Sequence, residues 1–201
     1  LAAWGVAGIQ FQGAAATYTD TSTAASGTAA SAVAASLGIP TFAATNTGVT
    51  TTDAATLYIA GAPAAGTNQT LTNPYALWVD AGTVRFDGHI RSAQASVPSA
   101  GTPSNCGGGL PTATITTGGT DTAGEIVLVS GTGVPTSCDT IITFSSAYIT
   151  APKAALVSAA DNDAAGRQFF ISATTTTTFT LKTNNNAAAE TTFNIYYWII
   201  E

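Results

Sequence analysis

Methionine is absent from these 201 residues, histidine occurs once, cysteine twice, and charged side chains make up only 8% of the chain, five basic against eleven acidic. Each scarcity removes a class of function. With a net charge of −6 and no grouping of Lys and Arg, the chain has no face that neutralises phosphates, which excludes nucleic-acid binding. One histidine leaves only His89 for a Ser-His-Asp arrangement, and no G-x-S-x-G elbow accompanies it. Neither HExxH nor paired CxxC is present, so a tetrahedral zinc site has no ligand set. The longest apolar runs, such as IYYWII at 195–200, fall well short of the ~20 residues a membrane-spanning helix needs. No charged n-region followed by an apolar h-region opens the chain. A chain that starts at Leu1 without a methionine is expected to be a processed or excised piece of something longer.

What is present is alanine, threonine, serine and asparagine. The hydrophobic fraction of 45% leans on alanine, which buries little area per residue, so one copy has modest means of offsetting its conformational entropy. That predicts oligomerisation. Sparse charge, against a usual quarter of a soluble protein, with polarity supplied by hydroxyls and amides, is the composition of an extracellular or virion structural protein.

Short β-branched and aromatic runs between Gly, Pro, Asn and Thr predict an all-β fold. The expected strands lie near 4–11, 41–44, 55–60, 75–80, 83–87, 112–116, 124–130, 139–145, 153–158, 167–173, 177–182 and 192–200. TAASAVAASLG (28–38) is alanine-dense and ends at Gly38 with Pro40 beyond, which suits a helix as well as a strand. ATLYIAGA (55–62) and YALWVDAG (75–82) share one pattern twenty residues apart, a two-copy repeat suggesting extended segments stacked along a shaft. SAQASVPSAGTPSNCGGGLP, from Ser92, reads as a linker. The expected organisation is therefore a β-rich region at 1–92, a Gly/Pro/Ser linker at 93–111 and a domain at 112–201, whose seven strands are enough for an antiparallel β-sandwich. In TFNIYYWIIE both faces of the last strand are apolar, whereas a half-wet strand alternates cleanly. The second face is expected to be covered by another sheet or a neighbouring subunit.

Charge gathers in one place: Asp80, Arg85, Asp87 and Arg91 fall with His89 inside a dozen positions. Period-two alternation puts Arg85 and Asp87 on one strand face, so Asp80, Arg85 and Asp87 read as a structural cluster fixing register, and His89 as a solvated hairpin-end residue. DNDAAG (161–166) opens like a calcium loop, but Ala165 and Ser172 stand where oxygen ligands belong, so a turn capped by Asn and Asp accounts for it. Glycosidase chemistry needs two converging carboxylates, and no spacing among the acids singles out a pair. The expectation is a non-enzyme without cofactor or metal. Cys106 and Cys138, thirty-two positions apart, suit a disulfide or two thiols kept reduced. Loops between sandwich strands present hydrogen-bonding groups, and the candidate receptor-binding residues are Asp161, Asn162, Asp163 and Arg167 together with Asn184, Asn185 and Asn186.

AATLYIAGAPAAGTN, NPYALWVDAGTVRFDG, CGGG, GTDTAGEIVLVSGTG, SCDTIITFSSAY with the following AP, and the closing TTFNIYYWII resemble segments of minor structural and tail-fibre proteins of tailed bacteriophages and prophages, over most of 40–201. The resemblance implies a shaft or collar followed by a C-terminal β-domain at the tip, assembled as a homotrimer among other virion proteins. It brings no catalytic residues. The expected function is a virion component that attaches to a host surface glycan or other polymer, multivalently. The alternatives are a capsid or tail decoration protein with a purely architectural role, a glycan hydrolase, and a bacterial surface adhesin.

Overall fold

The structure is a computed structural model that describes residues 11, 13–133, 137–183 and 189–201. The chain divides into two units, residues 1–62 and 63–201. In the first, the described residues form no strand or helix and are all exposed. What local order there is comes from short-range bonds: Asp20 accepts from the amides of Ser22 and Thr23 and from the Ser22 hydroxyl. The strands expected at 41–44 and 55–60, and the helix or strand expected at 28–38, are not formed. The strand expected at 4–11 lies, apart from Phe11, outside the described residues.

The second unit begins in the same manner. Residues 63–98 carry no regular structure, so the strands expected at 75–80 and 83–87 are also absent, and the repeat at 55–62 and 75–82 pairs with nothing among the described residues. The expectation of a β-rich N-terminal region is corrected here: β-propensity expresses itself only where a partner strand and a covered face exist. Tyr58, Leu77, Trp78 and Phe86 have neither and stay exposed.

From Ser99 onward the picture changes. Among the described residues eight strands follow: β1 Ser99–Ala100, β2 Thr112–Ile115, β3 Ala123–Val129, β4 Cys138–Thr143, β5 Ala154–Ala159, β6 Phe169–Thr174, β7 Thr178–Thr183 and β8 Thr192–Ile200. One helical turn, α1 Asn162–Ala165, lies between β5 and β6. The strands make two four-stranded sheets, in the orders β1-β4-β7-β6 and β2-β3-β8-β5, with every pairing antiparallel. The fold class is all-β.

Period-two alternation gives each sheet one apolar face, and both faces feed one core. Ile126 and Leu128 of β3 and Phe193, Ile195, Tyr197 and Ile199 of β8 are buried with Ile142 of β4 and Phe179 and Leu181 of β7. Rings join the two sheets: Phe179 stands 5.5 Å from Tyr197 and Phe169 5.6 Å from Phe193, centroid to centroid. Apart from the half-buried Phe169 these side chains are enclosed, so the C-terminal part closes its own interior. The sparse interior expected for the whole chain does not hold here; the N-terminal part has large apolar residues too, Ile39, Tyr58, Trp78 and Phe86 among them, but leaves them exposed.

The segment 93–111, expected to be a linker, belongs to this body instead. It supplies β1 and a bridge between Ser104 and Asp139, and it buries Pro98, Pro103 and Cys106. Its prolines, Pro98, Pro103 and Pro111, flank β1 and β2 rather than sit within them, so none removes a ladder donor. Cys106 is bonded to Cys138, and both are buried. Beside the bond, Gly131 N donates to Cys106 O and Thr132 N to Gly108 O. A Cβ on Gly131 would run into the Gly108 carbonyl, so only glycine fits there.

Candidate functional site

The loop between β2 and β3, running from Thr116 to Thr122, is the most elaborate polar structure in the body. Gly119 N donates to Thr116 O, closing a turn whose third residue, Gly118, has φ +90, a conformation that favours glycine. Thr120 pairs with Ala123 through backbone and hydroxyl, and Ile199 N donates to Thr122 O, which ties the loop to β8. Asp121, nearly buried, accepts from Ser145 N at 2.7 Å, Ser146 N at 2.9 Å and Gln94 Nε2 at 2.6 Å. Its own amide donates to Gln94 Oε1. Each carboxylate oxygen is thereby partnered, as burial demands. Gln94, using both ends of its amide, pins the otherwise irregular segment before it to the loop.

That pin shapes a groove of about 590 Å³, lined among others by Ile90, Arg91 and Ser92 on one side and Thr116, Glu125 and Tyr196 on the other. Glu125 and Tyr196 are cross-strand partners on β3 and β8, so they stand side by side on the outer face of the sheet. Glu125 Oε2 accepts from Thr116 Oγ1 at 2.9 Å. Trp198, two residues beyond Tyr196, lies on the same face opposite Leu156 of β5. Tyr196 and Trp198 are each 53% exposed. Residues 90–92 rim this face at Glu125 and Tyr196, but among the described residues no second sheet covers it, so that expectation is not met, and a neighbouring subunit is left as the cover to be tested. Sequence reading flagged the apolar outer face of β8 but not the groove, because nothing local announces that Gln94 and Asp121, or Glu125 and Tyr196, are neighbours.

The residues singled out from the sequence are distributed differently. Arg85 forks onto Asp87, Nε to Oδ1 at 2.5 Å and Nη2 to Oδ2 at 3.0 Å, on an exposed stretch with no strand. A surface pair of this kind contributes ~0–1 kcal/mol. It clamps no sheet register, because no sheet is there, and Asp80 and His89 take no part in it. Asp161 is structural: it caps α1 by accepting from Ala164 N at 2.6 Å, and its other oxygen accepts from Asn194 N at 2.8 Å and Nδ2 at 2.6 Å. Desolvation pushes its carboxyl upward, but the bonds from Ala164 and Asn194 outweigh it and hold the group below the usual carboxylate range. With both oxygens engaged, Asp161 is not free to take a ligand, while Asn162 and Asp163 are exposed and Arg167 is half-buried. Asn184, Asn185 and Asn186 lie outside the described residues.

Lys182 Nζ meets Asp139 Oδ2 at 3.3 Å, and Asn105 Nδ2 meets the same oxygen at 3.0 Å, securing the strand pair beside the disulfide. Among the described residues no three His, Cys, Asp or Glu side chains gather as a metal site would require, and no helix is long and apolar enough to cross a membrane. No protein-family model, curated protein or solved structure matches the chain.

Proposed function

We propose that the chain is a non-enzymatic structural component of a bacteriophage virion, a tail-fibre or tail-tip protein that attaches to a host surface polymer. In this reading 98–201 is a β-sandwich knob, the preceding residues are a shaft or collar, and three copies assemble. The resemblance of NPYALWVDAGTVRFDG, GTDTAG and the closing TTFNIYYWII supports it. The observation that carries it is the contrast along one chain: a closed β-core from Ser99 onward, preceded by residues that leave Ile39 at 96% and Tyr58 at 80% exposed, with Trp78 and Phe86 likewise uncovered. Large apolar groups left wet over so long a stretch mark an interaction surface, and neighbouring copies offer the sheet partners that a single copy lacks.

A non-enzymatic role fits the groove as well. Hydrolysis of a glycosidic bond uses two carboxylates flanking the sugar, and among the described lining residues Glu125 is the sole acid. The test is molar mass in solution by light scattering, with a value near three times 20.0 kDa expected. A monomer would remove the basis of the shaft-and-knob assignment. Binding of the purified trimer to host cells separates attachment from decoration, since a decoration protein would bind particles and not cells.

A further inference from the structure

The geometry points to the groove beside β8 as a binding site for an acidic glycan, with Tyr196 as its stacking platform, Arg91 as partner of a sugar carboxylate and Glu125 as acceptor for sugar hydroxyls. It deepens the attachment role proposed above and rests on it for the ligand being a surface polymer.

The first support is how β8 sorts its side chains. Inward it carries hydrocarbon, Phe193, Ile195 and Ile199, and its one inward phenol, Tyr197, is tied off on Thr120 O at 2.6 Å. Outward, between Asn194 and Ile200, it carries Tyr196 and Trp198, rings that each bear a polar atom. Two residues apart on a strand, they stand about 7 Å apart. Such rings offer a flat apolar surface with a wet rim, which complements a sugar ring, apolar on its C–H face and hydroxylated at its edge. Glu125 is fixed next to this platform by its cross-strand pairing and by Thr116. An ionised carboxylate only accepts, and sugar hydroxyls donate.

The second support is charge. Arg85 and Lys182 are each engaged by an acid, whereas Arg91 makes no ion pair or hydrogen bond among the described residues. It is not adrift, because Gln94, three residues on, holds this wall of the groove against Asp121. A guanidinium fork matches a carboxylate in two parallel bonds, so an unpaired arginine beside an aromatic platform selects a sugar that carries a carboxylate. The groove, at about 590 Å³, falls inside the range of about 300–1,000 Å³ common to small-ligand sites. Covering it with another copy would desolvate both Arg91 and Glu125, which is costly without matched partners.

The test titrates the full-length protein with a short oligogalacturonate and with its methyl ester, which keeps the shape and removes the charge. The free acid is expected to bind about tenfold or more tightly than the ester. Arg91→Gln should bring the two to parity; the position is exposed and outside regular structure, so the variant folds as the parent does, checked by circular dichroism. Tyr196→Ala should weaken both about three- to tenfold. Equal binding of acid and ester by the parent overturns the proposal, as does binding unchanged in both variants, or assembly lost in Tyr196→Arg, which would make the face an interface between copies. Light scattering on the same samples keeps the two readings apart: a trimer that binds neither form refutes the groove and leaves the fibre standing, while a monomer that binds the acid form supports the groove and removes the fibre.

Discussion

Two side chains of the body contribute to its pH dependence through opposite shifts. Asp161 has its carboxyl held low by the bonds from Ala164 and Asn194, so the stability it contributes is full above the ordinary value of 3.8 and drains as pH falls through its folded value. Asp161→Ala should cost about 1–2 kcal/mol at neutral pH, and Asp161→Asn, which keeps one accepting oxygen for Ala164 N but sets an NH2 against the Asn194 donors, should also destabilise and flatten the acid limb of a urea midpoint against pH. Tyr197 is the mirror case. Burial pushes its phenol above its usual 10.0, with Asp121 and Tyr148 adding to the rise. The folded state therefore keeps a proton that the unfolded state gives up, and stability present below about pH 10 is lost as pH climbs through the folded value. Tyr197→Phe removes the bond to Thr120, costing about 1 kcal/mol at pH 7; the same urea series should show its alkaline limb shallower than the parent's.

At the scale of elements, what decided legibility was whether a strand's partner could be inferred. AGEIVLV, CDTIIT and TFTLKT read correctly because each carries an alternating apolar face between turn residues, and the folded body supplies that face with a core. ATLYIAGA and YALWVDAG are written in the same residues, yet the chain gives them no ladder, so propensity alone misleads. The two-residue β1 was hidden in SAQASVPSAGTPSNCGGGLP, where Pro98 and Pro103 read as punctuation although the strand fits between them. The Gln94–Asp121 latch was invisible because a hydrogen bond across twenty-seven positions leaves no local pattern. For Cys106 and Cys138 the sequence left bond and thiols open, and the structure bonds them where β4 begins. Closing a loop across 32 positions stabilises by about 3–4 kcal/mol in chain-entropy terms. A Cys106→Ser/Cys138→Ser variant should show that loss in its denaturant midpoint, and reductant should lower the midpoint of the parent but not of the variant.

For the whole molecule, the difference between a body that closes its own core and a stretch that does not implies that folding and assembly are separable. Among the described residues all eight strands, the disulfide and the Gln94–Asp121 latch lie within 93–201, while the exposed aromatic and aliphatic side chains of 11–92 are outside it. A fragment of residues 93–201 should unfold in one cooperative transition, as small single domains usually do, and should remain monomeric at concentrations where the full chain reaches three copies. If the trimer were instead built through the outer face of β8, the fragment would trimerise by itself and its Trp198→Ala variant would not. Light scattering on the fragment, its variant and the full chain distinguishes these outcomes. The first outcome puts the cohesive surface in the N-terminal part and leaves the Tyr196–Trp198 face open to solvent, the condition under which that face is free to hold a ligand.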